Sequence, residues 1–224
     1  SPGVVNSVAF APDGKTLATG DRDDSIVLDA ATIPGTVSES LDGGAANDTI
    51  TGANTPGTLT GGSGNDALSG RGTLNAGSGN DSLVGSPLAD DLKGSSGRDT
   101  LDGGLGSDDL AGGSGTDTLV YPGRANGVNV TIGSGNFNDG GPEDQSGSRH
   151  DNAHGDLEIL FGTERADVLA GDHSSETLVG LGGDDFMVGN SGGDTVLGFD
   201  GNDLLIGDSG GDVLRGGPGS DRQF

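Results

Sequence analysis

The sequence predicts an all-β chain: a right-handed parallel β-roll, or β-helix, in which short strands stack into a solenoid interrupted by one longer, loop-containing coil. Three observations lead there. A nine-residue period runs through most of the 224 residues, 48 of which are glycine. One aliphatic residue recurs per period against a background of only 29% hydrophobic residues. The formal net charge is −25. Low hydrophobicity with high charge would by itself predict disorder. The strict period reverses that expectation, because each repeat can bury one side chain against its neighbours and pool its acidic groups with theirs.

The beat reads Gly61-Gly62-Ser63-Gly64-Asn65-Asp66-Ala67-Leu68-Ser69, then Ala76-Gly77-Ser78-Gly79-Asn80-Asp81-Ser82-Leu83-Val84, and later Gly103-Gly104-Leu105-Gly106-Ser107-Asp108-Asp109-Leu110-Ala111 and Gly112-Gly113-Ser114-Gly115-Thr116-Asp117-Thr118-Leu119-Val120. Its sixth position carries a carboxylate and its eighth an aliphatic. The eighth positions are Leu41, Ile50, Leu59, Leu68, Leu74, Leu83, Leu92, Leu101, Leu110 and Leu119, then Leu160, Leu169, Leu178, Met187, Val196, Leu205 and Leu214. Every step within each array is nine except Leu68 to Leu74, where the short half-turn 70–75 drops three residues. Each repeat is expected to form a glycine-rich turn of six residues and a strand of three whose middle side chain points inward. Two repeats complete one coil, so repeats n and n+2 stack about 4.8 Å apart.

The template G-G-x-G-x-D-x-U-x resembles the calcium-binding nonapeptide repeat of the RTX (repeats-in-toxin) family. The resemblance implies calcium between stacked turns, held by sixth-position carboxylates and by backbone carbonyls of the turns, as suits a hard cation taking 6–8 oxygens. On one edge of the first array these acids are Asp48, Asp66, Asp81, Asp99 and Asp117, and on the other Asp90 and Asp108, where Gly57 and Gly72 stand in place of further acids. In the second array one edge offers Asp167, Asp185, Asp203 and Asp221, the other Asp194 and Asp212. Glu158 and Glu176 occupy the sixth position at two more turns; their longer side chains and glycine-poor surroundings leave them outside the predicted ligand set. The pairings amount to about ten calcium ions, enough to cancel roughly twenty negative charges.

A polyanion of this size argues against nucleic acid, which needs a basic footprint, and against anionic membrane surfaces. No run is long enough for a membrane helix, and no basic-then-apolar leader opens the sequence, so an exported chain would be numbered from its mature or truncated form. Cysteine is absent, which removes disulfides and thiolate metal sites.

Catalysis is not expected. Gly207-Asp208-Ser209-Gly210-Gly211 looks like a serine-protease nucleophile and Gly189-Asn190-Ser191-Gly192-Gly193 satisfies G-x-S-x-G, but both fall in register with glycines that the repeat already requires. His150, His154 and His173 lack metal-ligand spacing and read as solvated loop residues. The acidic run Gly141-Pro142-Glu143-Asp144 reads as a solvated tip, with an extra calcium as the alternative.

Four segments follow. Residues 1–40 form an N-terminal strand or hairpin that caps the solenoid or serves assembly; within it Val5-Asn6-Ser7-Val8-Ala9-Phe10-Ala11-Pro12-Asp13-Gly14-Lys15-Thr16-Leu17-Ala18-Thr19-Gly20 resembles one WD-repeat blade without its Trp, and one blade cannot close a propeller. Residues 20–27 also fit the repeat, with Asp24 sixth and Ile26 eighth. Residues 41–120 are the first array and 153–224 the second. Between them, 121–152 is an insertion in which Val128, Val130 and Ile132 alternate like a half-buried strand, followed by a polar, loop-like stretch, together read as a wider coil with a surface loop.

The expected function is that of an extracellular or cell-surface calcium-binding structural protein: a matrix fibre, surface-layer component or adhesin stalk that folds on calcium and forms head-to-tail homopolymers through strand addition. The alternatives are a calcium-folded module of a larger secreted toxin or hydrolase, and a module that binds anionic polysaccharide through calcium.

Overall fold

A computed structural model describes residues 9–10, 16–18, 23–27, 40–53, 55–136, 139–144 and 150–224. They form an all-β parallel solenoid of about ten turns. Among the described residues there is no α-helix, and so no helix long and apolar enough to cross a membrane.

One face of the solenoid is an unbroken ten-stranded parallel sheet running from Ser25–Val27 to Val213–Arg215. Its inward residues lie in one ladder: Ile26, Ile50, Leu68, Leu83, Leu101, Leu119, Leu160, Leu178, Val196 and Leu214. All are buried except Leu214, which is partly so. Leu160 pairs directly with Leu119, so on this face the second array continues the first without a gap although 40 residues intervene.

The opposite face is two sheets. The first stacks Leu41, Leu59, Leu74, Leu92 and Leu110 and ends at Asn152–Ala153. The short half-turn leaves this ladder intact, because Gly72 pairs with Gly57 and Leu74 with Leu59. The second sheet begins at Asn129–Thr131 and stacks Val130, Leu169, Met187 and Leu205, with Gln223 in the last row. Each aliphatic removed from water in this way contributes roughly 1.5–3 kcal/mol, and the two ladders together are the core.

The insertion joins the two sheets with its rows reversed. After Leu119 the chain moves forward to place Val130 beside Leu169, returns through two antiparallel bridges, Asn129 with Gly140 and Asp139 with Asp151, and only then lays Ala153 against Leu110. Val128, Val130 and Ile132 are buried as their alternation implied, together with Tyr121 and Leu157. The longer, loop-containing coil is thus tied together internally by two isolated antiparallel bridges. Asp144, read from the sequence as part of a solvated tip, is fully buried. His154 is also not a free loop residue: its Nε2 lies 2.7 Å from Asp109 Oδ1. His173 is exposed.

At the N-terminal end, Thr16–Ala18 adds in parallel to Ser40–Asp42, and Ala9–Phe10 pairs antiparallel with residues 17–18. The remainder of the blade-like stretch, residues 5–8, 11–15 and 19–20, lies outside the described residues.

Candidate metal centre

The sixth-position acids form two rows, one along each edge of the solenoid, and the backbone positions them. In one row the N–H of Asp24 donates to Oδ1 of Asp48, that of Asp48 to Asp66, Asp66 to Asp81, Asp81 to Asp99 and Asp99 to Asp117, at 2.7–2.8 Å. Asp117 donates in the same way to Glu158 Oε2, and further along Glu176 donates to Asp194 and Asp194 to Asp212. The other row runs from Gly72 N–H through Asp90 and Asp108 to Asp151, then restarts at Val128 N–H with Asp167, Asp185, Asp203 and Asp221. One carboxylate oxygen per turn is therefore spent on holding the next coil in register.

The second oxygen behaves differently. In Asp48, Asp66, Asp81, Asp99, Asp108, Asp117, Asp185, Asp194 and Asp203, Oδ2 is buried and has no hydrogen-bond partner. Leaving a buried carboxylate oxygen unmatched is costly, so nine of them in rows call for a common ligand. Eight of the nine face a small cradle beside the first glycine of their own turn, while the Asp81 turn begins with Ala76. A β-carbon placed on Gly61 would collide with Asp66 Oδ2 and with the carbonyl oxygen of Ala76, one coil on; at Gly94 the colliding atoms are Asp99 Oδ2 and the Gly112 carbonyl, and at Gly198 they are Asp203 Oδ2 and the Gly216 carbonyl. In these turns carboxylate and carbonyl oxygens of successive coils thus converge on space that glycine leaves open.

The second residue of the turn decides whether that oxygen stays available. For all nine acids the residue four positions earlier has positive φ: Gly44, Gly62, Gly77, Ser95, Gly104, Gly113, Leu181, Asn190 and Phe199. Three turns have Ser86, Thr163 and Asp172 there without positive φ, and in these the N–H folds inward. Ser86 donates to Asp90 Oδ2 at 2.5 Å, Thr163 to Asp167 Oδ2 at 2.6 Å and Asp172 to Glu176 Oε2 at 3.2 Å. Those turns close on themselves. Asp90 and Asp167, predicted as ligands alike with the rest, use both oxygens in hydrogen bonds, whereas Asp212 and Asp221 sit at the less buried end of their rows.

Electrostatics reinforces the pattern. Burial, only partly offset by the backbone N–H from the previous coil and aided by neighbouring carboxylates, lifts Asp99 from 3.8 to about 6 and Asp185 to about 7. Asp108 is pushed to about 9 by burial and then by the charge of Asp151. Glu176 reaches about 8 through burial and its contact with Asp172. These acids resist ionising in the absence of a positive partner, first because burial strips water from the charged form and then because nearby carboxylates are like charges.

Hard carboxylate and carbonyl oxygens, with no sulfur, suit calcium rather than a transition metal. Among the described residues no three His, Asp or Glu side chains converge as a preformed centre, so the oxygens would have to come as one or two carboxylates per site plus main-chain carbonyls. The family model for the RTX calcium-binding nonapeptide repeat matches residues 35–54, 67–87, 84–119, 154–187, 161–196 and 197–222. The chain belongs to the RTX calcium-binding nonapeptide-repeat family. Among curated proteins no match is found. The RTX repeats bind calcium, and the stacked sixth-position aspartates of this chain fit such sites. The family match passes over residues 120–153, where the row nevertheless continues: Asp151 takes the sixth position beneath Asp108 and Ala153 the eighth beneath Leu110. Sequence reading missed both, because the step from Ala153 to Leu160 is seven residues instead of nine and the beat is out of phase there.

The two serine motifs stack on one another, Ser191 pairing with Ser209 in parallel register. Ser209 Oγ donates to Ser191 Oγ one coil away, at 3.1 Å on an exposed edge.

Proposed function

We propose that the chain is a non-catalytic, calcium-folded structural module that works outside the cell, where calcium is about millimolar. The observation that carries this reading is the set of nine buried carboxylate oxygens without partners, eight of them facing a glycine cradle. With a net charge of −25, the metal-free rows repel, and coil stacking is opposed until a cation neutralises them. At calcium tenfold above a site's dissociation constant, each ion adds about 1.4 kcal/mol of stability; at cytosolic levels it adds almost nothing. Such a chain stays unfolded inside the cell and folds outside.

A role as matrix fibre, surface-layer component or adhesin stalk is supported by the fact that the described chain is solenoid from Ser25–Val27 to Arg222–Gln223. Head-to-tail pairing through exposed strand edges, and bridging of anionic polysaccharide through calcium, are its candidate interactions. Far-UV circular dichroism is the deciding experiment: a disordered spectrum in chelator and a β spectrum in millimolar calcium are expected, and equal β signal in both overturns the proposal. Light scattering in millimolar calcium addresses assembly, where strictly monomeric protein at high concentration excludes the homopolymer.

A further inference from the structure

The two edges of the solenoid present different side chains. Among the described residues, turns 43–48, 61–66, 76–81, 94–99, 112–117, 189–194 and 207–212 of one edge expose nothing apolar larger than alanine. Turns of the other edge carry Pro87, Leu88, Leu105, Pro122, Leu181 and Phe199, with Leu88 49%, Leu105 40% and Phe199 48% exposed. Both edges make the same reversal between sheets, so the turn itself does not call for these side chains.

Leu181 and Phe199 are also strained. They pair in parallel register, and both are left-handed, at φ of +74° and +69°. Gly104 and Gly217 hold the same position in other turns of this edge, and glycine takes that conformation without the steric cost of a β-carbon. Neither Leu181 nor Phe199 belongs to the core, so burial there does not offset the strain. Strain held at side chains that the core does not use points to a surface used from outside.

The apolar residues connect through two hollows on either side of turn 122–124. One, of about 340 Å³, runs from Leu105 to Pro122; the other, of about 460 Å³, lies among Pro122, Phe161 and Leu181. Along the unbroken sheet, the six successive turns from 85–90 to 198–203 span about 24 Å, at roughly 4.8 Å per strand. That is the reach of about seven extended residues.

The rim is acidic. Glu164 lines the larger hollow, and Asp184 and Asp200 stand exposed in the turns of Leu181 and Phe199. Arg165 lines that hollow too, with its guanidinium on the carbonyls of Ala125 and Glu164, while Arg124 is taken by Asp144. A second copy would set its own carboxylates against these; a cationic partner is matched to them.

We propose that this edge is a docking seam for an extended peptide segment of another protein, one that alternates apolar side chains with lysine or arginine. The apolar side chains enter the two hollows and cover Phe199, and the basic ones meet the acidic rim.

The probe is a fluorescein-labelled peptide of four Lys-Leu repeats, with a Lys-Ser peptide of the same length and charge as its control, followed by fluorescence anisotropy in millimolar calcium. The Lys-Leu peptide should bind wild-type protein saturably and at least fivefold more tightly than the control. Leu105→Ser and Phe199→Gly should each weaken it at least fivefold, although neither changes a charge; Thr116→Ala, on the polar edge, should not. Phe199→Gly should also melt at or above the wild-type temperature, because it removes strain. No saturable binding overturns the proposal, as does equal affinity in wild type and both variants, which would leave only attraction to a polyanion. A lower melting temperature for Phe199→Gly overturns it too, by making the ring a structural element. So does a wild-type dimer in sedimentation that both variants abolish, which would make the seam an interface between copies. Proteins with matching β spectra are compared, so the result is independent of how folding depends on calcium.

Discussion

Thr163 donates its backbone N–H to Oδ2 of Asp167 at 2.6 Å, and its hydroxyl donates to Oδ1 of the same carboxylate at 3.0 Å. Asp167 and Asp99 look identical in the repeat, yet only Asp99 keeps a bare oxygen. Replacing Asp99 by Asn should therefore lower the number of calcium ions bound and raise the calcium midpoint of folding several-fold. Asp167→Asn should weaken the fold while leaving the bound calcium count unchanged. Equilibrium dialysis on the two variants checks this; equal losses of calcium would mean that the closed turn opens to bind metal.

Backbone handedness gives a second test. Gly79 has φ of +140°, and a β-carbon there would run into the Gly64 carbonyl of the previous coil. Gly79→Ala should cost well over the roughly 1–2 kcal/mol of a left-handed residue, because the stacked backbone must also shift. Ser95 stands at a second position with φ of +78° and pays that conformational cost already, against one exposed hydrogen bond to Asn75. Ser95→Gly should raise the melting temperature in calcium by a few degrees. Thermal denaturation of both, at one fixed calcium concentration, is the measurement.

Leu101 is fully buried in the unbroken sheet, and its neighbour Thr100 points to solvent. Leu101→Ala should lose about 2–5 kcal/mol, as buried leucines do, and Thr100→Ala under about 0.5. Urea unfolding in saturating calcium distinguishes them. A larger loss at Thr100 would contradict the inward face.

The pH dependence has opposite signs with and without metal. The folded, metal-free chain holds Asp48 and Asp99 at about 6 and Asp185 at about 7, against an ordinary 3.8. Groups raised in this way bind more protons in the folded state, so their stabilising share is complete below about pH 4 and is lost as pH climbs through 6 to 7. In chelator, β structure should accordingly increase on acidification from pH 8 to pH 5. In calcium, protons compete with the ion, and the calcium midpoint should rise over the same interval. Titrations followed by circular dichroism at pH 5, 6, 7 and 8 would show both trends, and a midpoint independent of pH would argue that these carboxylates are not ligands.

The inward ladders were legible because one physical requirement, a single aliphatic per nine residues, writes itself directly into spacing: Leu41 to Leu119 and Leu160 to Leu214 fall where the period puts them. The sixth-position acids were legible for the same reason. Two things were not. Whether a carboxylate oxygen is bare depends on the sign of φ two residues into the turn, and Ser86 and Ser95, the same residue type at the same position, adopt opposite signs. Beyond its strand at 128–132 the insertion reads as a surface loop, because Asp151 and Ala153 keep the chemistry of the repeat but lose its phase, and because antiparallel bridges between single residues leave no periodic trace.

The reversed rows at the joint bear on how the chain reaches its fold. Within each array a coil contacts only its immediate predecessor, so stacking can proceed one turn at a time from contacts about 18 residues apart in sequence, as in other repeat proteins. At the joint that order fails: Asn129–Thr131 has no parallel neighbour until Val168–Ala170 arrives, and Asp108 waits for Asp151, 43 residues on. Long loops close slowly. A chain delivered from its N-terminus would therefore zip the first array quickly and pause there, and a refolding trace should resolve into a fast phase for the arrays and a slower one for the seam that locks them together.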